Sequence, residues 1–195
     1  MELKKPDLEM TVYETKKGGQ YRWVTITTLL LAIGAILHLI SPSIAGVTPN
    51  WTIAMYCLAI NLTKPTRGQA FGIGLVAAAI NIPTSKAAFP YGNLVSEPVG
   101  ALVCAIIVSL SLKMTIGNLN LKPAISTFLT TLVSGMIFVT ILKVVMSLPL
   151  SVYLYGMIPF VFGVGVLNAA ITQILYFPAQ KLFNLQGGSH DSNNN

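Results

Sequence analysis

Acidic charge is almost missing from the body of this chain: between Trp23 and Lys181 the sole acidic residue is Glu97. Charged residues make up 9% of the sequence and apolar ones 53%, whereas a soluble domain carries roughly 25% charged residues. That composition excludes a water-soluble globular domain and makes lipid the expected solvent. Cysteine is also scarce. Cys57 and Cys104 both sit within apolar runs, which leaves no disulfide framework and no metal-ligand spacing, so buried, inert thiols are expected. Period-two alternation is absent, which argues against a closed β-barrel. No GxxxxGK[ST] loop occurs, so the chain is not itself an ATP-driven pump of the usual kind. Energy must come from an ion gradient or a separate subunit. HExxH, GxSxG and intramembrane Asp or His clusters are absent too, so neither an enzyme activity nor a cofactor is expected.

What is present is six apolar stretches separated by short polar breaks: residues 23–40, 49–63, 68–83, 94–112, 123–147 and 154–177. A spanning helix needs about 20 apolar residues. The first, fourth, fifth and sixth stretches meet or approach this. The second and third are short and flanked by Pro or Gly, which suits tilted or broken helices or a tight hairpin. The fold expected is all-α, a single six-helix membrane domain over 23–181. It is preceded by a polar segment, 1–22, and followed by a flexible tail, 182–195, whose His190 has no metal-site company. No apolar h-region precedes the first long apolar run, so no signal peptide is expected.

Basic residues fall on alternate breaks. Lys4, Lys5, Lys16, Lys17, Arg22, Lys64, Arg67, Lys113, Lys122 and Lys181 lie on the N-terminal side, and only Lys86 and Lys143 lie on the other. The positive-inside rule makes the first side cytoplasmic and puts both termini there. The net charge of +6 is thus a membrane-edge signature, and no nucleic-acid partner is expected. Asn61-Leu62-Thr63 matches the glycosylation pattern, but it falls at the cytoplasmic edge and is not expected to carry a glycan.

Unusual polar and aromatic groups gather on the external half. Asn81-Ile-Pro-Thr-Ser-Lys86 runs through Phe89-Pro-Tyr91-Gly-Asn93 into Glu97-Pro98. Pro83, Pro90 and Gly92 argue against a continuous helix there, and irregular backbone at membrane depth is tolerated where it lines a cavity or is buried in protein. Two readings fit: a ligand loop carrying both charge signs, amides and aromatics, or an ordinary turn in which Lys86 and Glu97 pair. Glu97 suits either the first turn of the fourth helix, where the helix dipole favours a carboxylate, or a ligand ammonium. Lys143 can snorkel to the surface or face inward beside Thr140 and Met136 to meet a ligand carboxylate. Trp51 is an interfacial anchor or a stacking surface, Trp23 is an anchor at the cytoplasmic edge, and His38 is a weaker candidate. Asn168 and Thr172 share a helix face and suit interhelical hydrogen bonds. Small residues at four-residue spacing, Thr28 with Ala32 and Gly74 with Ala78, permit close helix contact.

Three motifs carry a family resemblance: Ala32-Ile-Gly-Ala-Ile-Leu-His38, Val47-Thr-Pro-Asn-Trp51, and Phe89-Pro-Tyr-Gly-Asn93 running into Glu97-Pro-Val-Gly-Ala101. Over about residues 25–180 the chain resembles the tryptophan transport protein family of Firmicutes, and more broadly the substrate-binding S components of energy-coupling-factor transporters. The resemblance implies a ligand pocket near the external face. It also implies docking of the first helix on a membrane coupling subunit, served by ATPases, through small residues spaced Ala-xxx-Ala. Here Ala32 is followed by Ala35 at i+3 and by Ile36 at i+4, a departure from that spacing.

The residues themselves are compatible with tryptophan. Its ammonium needs an anion and its carboxylate a donor or cation, which Glu97 and either Lys86 or Lys143 supply. Asn81 and Asn93 offer amides, and Trp51, Phe89 and Tyr91 an aromatic wall. The expected function is small-molecule uptake across the bacterial cytoplasmic membrane, with tryptophan favoured. An S component for a vitamin or corrinoid precursor is the alternative, and a non-transporting assembly or sensory protein is the reading from another class.

Overall fold

The computed structural model describes residues 21–41, 49–111, 114–117 and 119–183. The polar segment 1–22, the uncharged break 41–48, Lys113 and the tail 182–195 lie wholly or largely outside the described residues. The helices are α1 (Arg22–Ile40), α2 (Trp51–Thr63), α3 (Arg67–Thr84), α4 (Asn93–Ser109), α5 (Lys122–Val145) and α6 (Leu150–Leu182). A 3₁₀ turn, Pro90–Gly92, leads into α4, and a two-stranded antiparallel hairpin, Thr115–Ile116 with Leu119–Asn120, joins α4 to α5. Four of the described helices are long and apolar enough to cross a membrane, with α4 counted from Pro90. The all-α membrane architecture follows from the apolar runs, since only internally hydrogen-bonded helices or closed barrels satisfy backbone groups in lipid.

The short second stretch is a helix, and it occupies the centre. Every residue of α2 from Thr52 to Leu62 is buried, and α1, α3, α4, α5 and α6 all pack against it. Its sequence is apolar nearly all round, the pattern of a helix with no solvent-facing side. Its 13 residues give a rise of about 20 Å, against a hydrocarbon core of about 30 Å. The helix is therefore too short to cross the core by itself, and Pro49, just ahead of its N-terminus, is buried. Asn50 caps that end, its side chain accepting from the Ile53 amide at 3.2 Å. The cytoplasmic end turns sharply: Lys64 adopts left-handed backbone (φ +47°). Thr66 and Gln69 then form a reciprocal capping box that starts α3.

Helix pairs meet through glycine. On α3, a Cβ at Gly74 would lie 2.5 Å from the Pro98 Cα and 2.8 Å from the Glu97 carbonyl of α4, so the two backbones touch. On α5, a Cβ at Gly135 would lie 2.7 Å from Val161 Cγ1 of α6. These are the small-residue contacts on which membrane helices rely.

Three boundaries differ from expectation, each for a local reason. α3 runs through Pro83 to Thr84, so the helix break falls at 85–89 rather than at the proline. α4 begins at Asn93 and has no acidic residue in its first turn. Glu97 therefore sits a turn inside the helix and Pro98 beyond it, and the capping geometry does not arise. α6 begins at Leu150 and passes through a π-helical turn, Tyr153–Met157, just ahead of Pro159. Pro159 lacks an amide donor and its ring crowds the carbonyl four residues back; the wider turn accommodates both.

Candidate functional site

A cavity of about 480 Å³ opens in the external half, above the N-terminus of α2. Its volume is in the range of small-molecule sites. Because α2 ends early, the space is enclosed by the outer ends of the other helices. His38 comes from α1, Asn50 and Ile53 from the start of α2, Asn81 and the Ser85–Lys86–Ala87 turn from α3 and beyond, and Asn93, Ser96 and Glu97 from α4. The opposite wall comes from α5 and α6: Phe138, Val139, Leu142, Met157, Phe160, Val161 and Val164, with Thr131 and Ser134 as its polar residues. The cavity is two-sided, with amides and the two charge signs facing a wall of aromatic and aliphatic side chains.

Glu97 is the chemical centre of the polar side. It is 1% exposed. The Asn81 amide donates to its Oε1 at 2.9 Å, while its Oε2 has no hydrogen-bond partner among the described residues. Tyr56, Asn50 and Ser134 also lie beside the carboxylate, near hydrogen-bonding range but without the full geometry of a bond. The hydroxyls of Tyr56 and Ser96 and the Asn81 carbonyl oxygen are likewise unpartnered there. Gly100 shapes this corner, since a Cβ there would lie 2.8 Å from the Tyr56 hydroxyl and 2.9 Å from the Ser134 Cβ. A buried acceptor without a donor costs about 1–3 kcal/mol, more when charged. Such a group at a cavity wall can accept a hydrogen bond from a donor that enters the cavity.

Asn81, Asn93, Lys86 and Glu97 are brought together around this cavity. Asn93 is braced by donating to the Pro90 carbonyl at 2.7 Å. Lys86 is exposed at the mouth. The other four expected site residues lie elsewhere. Trp51 packs among Leu30, Met55 and neighbouring α1–α2 side chains, and Lys143 sits half-buried near the end of α5. Phe89 and Tyr91 pack on each other at 5.7 Å between ring centroids, with Tyr91 57% exposed. The aromatic surfaces in the cavity are Phe138 and Phe160. Phe138 is seated against Gly92, where a Cβ would lie 3.1 Å from its ring, and Phe160 follows the π-helical turn. Nothing in the sequence separates a cavity-facing Phe from a lipid-facing one. Ser134 and Thr131 were legible in principle, as part of a hydroxyl run on one face of α5. Ala32 is exposed and Ala35 half-buried on α1. Among the described residues, no group of His, Cys, Asp or Glu is disposed to hold a metal ion.

Residues 20–184 match the family described as Tryptophan transporter TrpP. A probable tryptophan transport protein of Clostridium perfringens is 34% identical over 175 residues, covering 81% of this chain and 91% of the relative. One of Bacillus subtilis is 30% identical over 163 residues, covering 80% and 88%. A third, of Clostridium acetobutylicum, is 28% identical over 162 residues, covering 80% and 90%. No solved structure matches the chain.

Proposed function

The chain belongs to the tryptophan transporter family, and from that membership we propose that its external cavity captures tryptophan for uptake across the bacterial cytoplasmic membrane. The observation that carries the reading is the unpartnered Oε2 of Glu97, buried on the polar side of a two-sided cavity. The ligand ammonium meets that oxygen, while Asn81 fixes the carboxylate through Oε1. The ligand carboxylate turns to the mouth, where Lys86 and Asn93 offer a cation and an amide. The indole lies against Phe138, Phe160, Met157 and Val161, an apolar surface that rewards a large flat ring. The zwitterion's two charges are thus each met on the polar side, and burial of the ring supplies the apolar contribution.

Equilibrium binding of radiolabelled tryptophan to the detergent-purified protein tests this reading, with unlabelled tyrosine, phenylalanine, indole and a vitamin panel as competitors. Saturable binding competed by tryptophan alone is the expected result. No binding at high micromolar ligand, or competition led by a vitamin, removes the tryptophan assignment. The wall makes a finer prediction. Phe138→Ala is expected to raise Kd about 10- to 100-fold, the loss of most of one buried aromatic contact, while Tyr91→Ala changes it by less than about twofold, as surface substitutions do. Isothermal calorimetry on both variants checks the contrast.

Coupling to energy belongs to the same reading. α1 presents Ala32 on its exposed side with Ala35 beside it, a small-residue surface on which a membrane coupling subunit served by ATPases can dock, in the manner of an energy-coupling-factor S component. Co-purification with such a subunit, lost on Ala32→Leu, is the result this docking requires; uptake by the chain alone in proteoliposomes removes it.

A further inference from the structure

From the cavity floor a column of buried hydroxyls and amides runs on beneath the residues that line the capture site. On α5, Ser134 and Thr131 line the cavity, and Thr130, Thr127 and Ser126 continue the same face toward the cytoplasmic end, each 0% exposed. From Ser134 to Ser126 is a rise of about 12 Å. At the foot of the column the Asn61 amide of α2 donates to the Ser126 hydroxyl at 2.9 Å, a buried contact. The column faces α2, because Thr127 and Thr130 flank the thiol of Cys57. On the neighbouring helix, Thr172 of α6 donates to the Ala54 carbonyl of α2 at 3.2 Å.

A threonine in a membrane helix ordinarily satisfies its hydroxyl on the carbonyl one turn back. Thr131 does so, donating to the Thr127 carbonyl at 2.8 Å. Thr127 and Thr130 do not: neither hydroxyl makes a hydrogen bond of full geometry among the described residues, their nearest polar neighbour being the weakly bonding Cys57 thiol, and the Asn168 carbonyl oxygen beside Thr131 is also unpartnered. Fully buried polar groups without partners are unfavourable in a closed bundle. They become satisfied when water or a polar ligand enters. Their line runs from the floor of the capture site to the cytoplasmic edge.

We propose that this α2–α5 seam is the inward leg of the transport route, closed in the present state by the Asn61–Ser126 contact and opened when α5 parts from α2. Thr127 and Thr130 are its positioning residues, hydrating the path and offering hydroxyls to the passing zwitterion. The inference rests on the transport reading above.

Replacing both hydroxyls by methyls of the same shape, Thr127→Val with Thr130→Val, tests it. Tryptophan Kd in detergent is expected to stay within about twofold and the thermal midpoint to hold or rise, since only weak contacts with the Cys57 thiol are lost and two buried hydroxyls are removed. Uptake by intact cells of a tryptophan auxotroph is expected to fall at least about tenfold. Wild-type uptake by the double variant overturns the proposal, as does a loss of binding in proportion to uptake. The unmodified chain provides a second reading through Cys57, identified by mass spectrometry after exposure of vesicles to a charged methanethiosulfonate. Tryptophan should speed labelling of Cys57 from the cytoplasmic side. A Cys57 that stays unlabelled from that side while uptake proceeds overturns the seam. A wild-type protein that binds no tryptophan overturns the functional reading itself, a result seen before any substitution is made.

Discussion

Glu97→Gln is expected to weaken tryptophan binding by at least about 30-fold while leaving the thermal midpoint unchanged or raised. The amide keeps the shape of the side chain, and its oxygen still accepts the Asn81 hydrogen bond that is 2.9 Å long in the native protein. What it removes is the negative charge that the proposed binding mode sets against the ligand ammonium. Deleting one member of a buried, hydrogen-bonded charge pair costs a complex about 2–5 kcal/mol, and each 1.4 kcal/mol is tenfold in Kd. The free protein, by contrast, loses a buried carboxylate that has no cation of its own, which is neutral or favourable for folding. The two readouts therefore move apart: calorimetric Kd rises while the detergent thermal-shift midpoint holds. Binding within twofold of wild type would return Glu97 to a purely structural partnership with Asn81, and a collapse of both readouts would make the carboxylate part of the fold.

Gly74→Ala is the larger structural effect. A methyl there meets backbone atoms, the Pro98 Cα at 2.5 Å and the Glu97 carbonyl at 2.8 Å. Backbone cannot rotate away as the end of a flexible side chain can. α3 and α4 must separate, and overpacking of this kind costs about 1–3 kcal/mol or more. For a chain of this size that corresponds to a fall of roughly 2–12 °C in Tm. The damage also reaches the site, because the displaced residues are Glu97 itself and Pro98. Tryptophan affinity is expected to drop with stability. Gly72→Ala, two residues away, meets nothing within 4 Å and gains helix propensity of up to about 1 kcal/mol. It should match or exceed the wild-type midpoint with unchanged binding. Equal midpoints for the two variants would mean that the α3–α4 contact is softer than its geometry indicates.

The fold was largely legible because lipid imposes simple demands. Length and apolarity mark spans, and the bias of Lys and Arg to alternate breaks gives the expected orientation. The centrality of α2 was harder to read. A short apolar stretch ending in Asn61-Leu62-Thr63 looks the same whether it lies at the edge of the bundle or in its middle; packing partners decide, and these are set by glycines far away in the chain. In the site, the charged and amide residues stood out, since an ionisable group such as Glu97 is conspicuous in an apolar body. Asn81, Asn93 and Lys86 were visible for the same reason. The apolar wall was not. Phe138 and Phe160 differ from membrane-facing neighbours such as Phe162 only by their rotation around the helix, and no water marks the outer face of a membrane helix as polar. Phe89 and Tyr91 looked suitable because they flank the right loop, but their rings stack together, with Tyr91 largely exposed, instead of turning inward.

The early stop of α2 bears on the lifetime of the protein. In the proposed binding mode a ligand seated above Asn50 fills the space beyond the end of α2, and so becomes a removable part of the core. The loaded protein is more stable than the empty one by an amount that grows with cargo concentration. On that reading, plentiful tryptophan outside would hold the bundle in its folded, loaded form. Where it is scarce, the same bundle opens locally more often and is more readily drawn into proteolysis. Turnover of the carrier would then follow the supply of what it carries, with no sensor beyond the binding cavity itself.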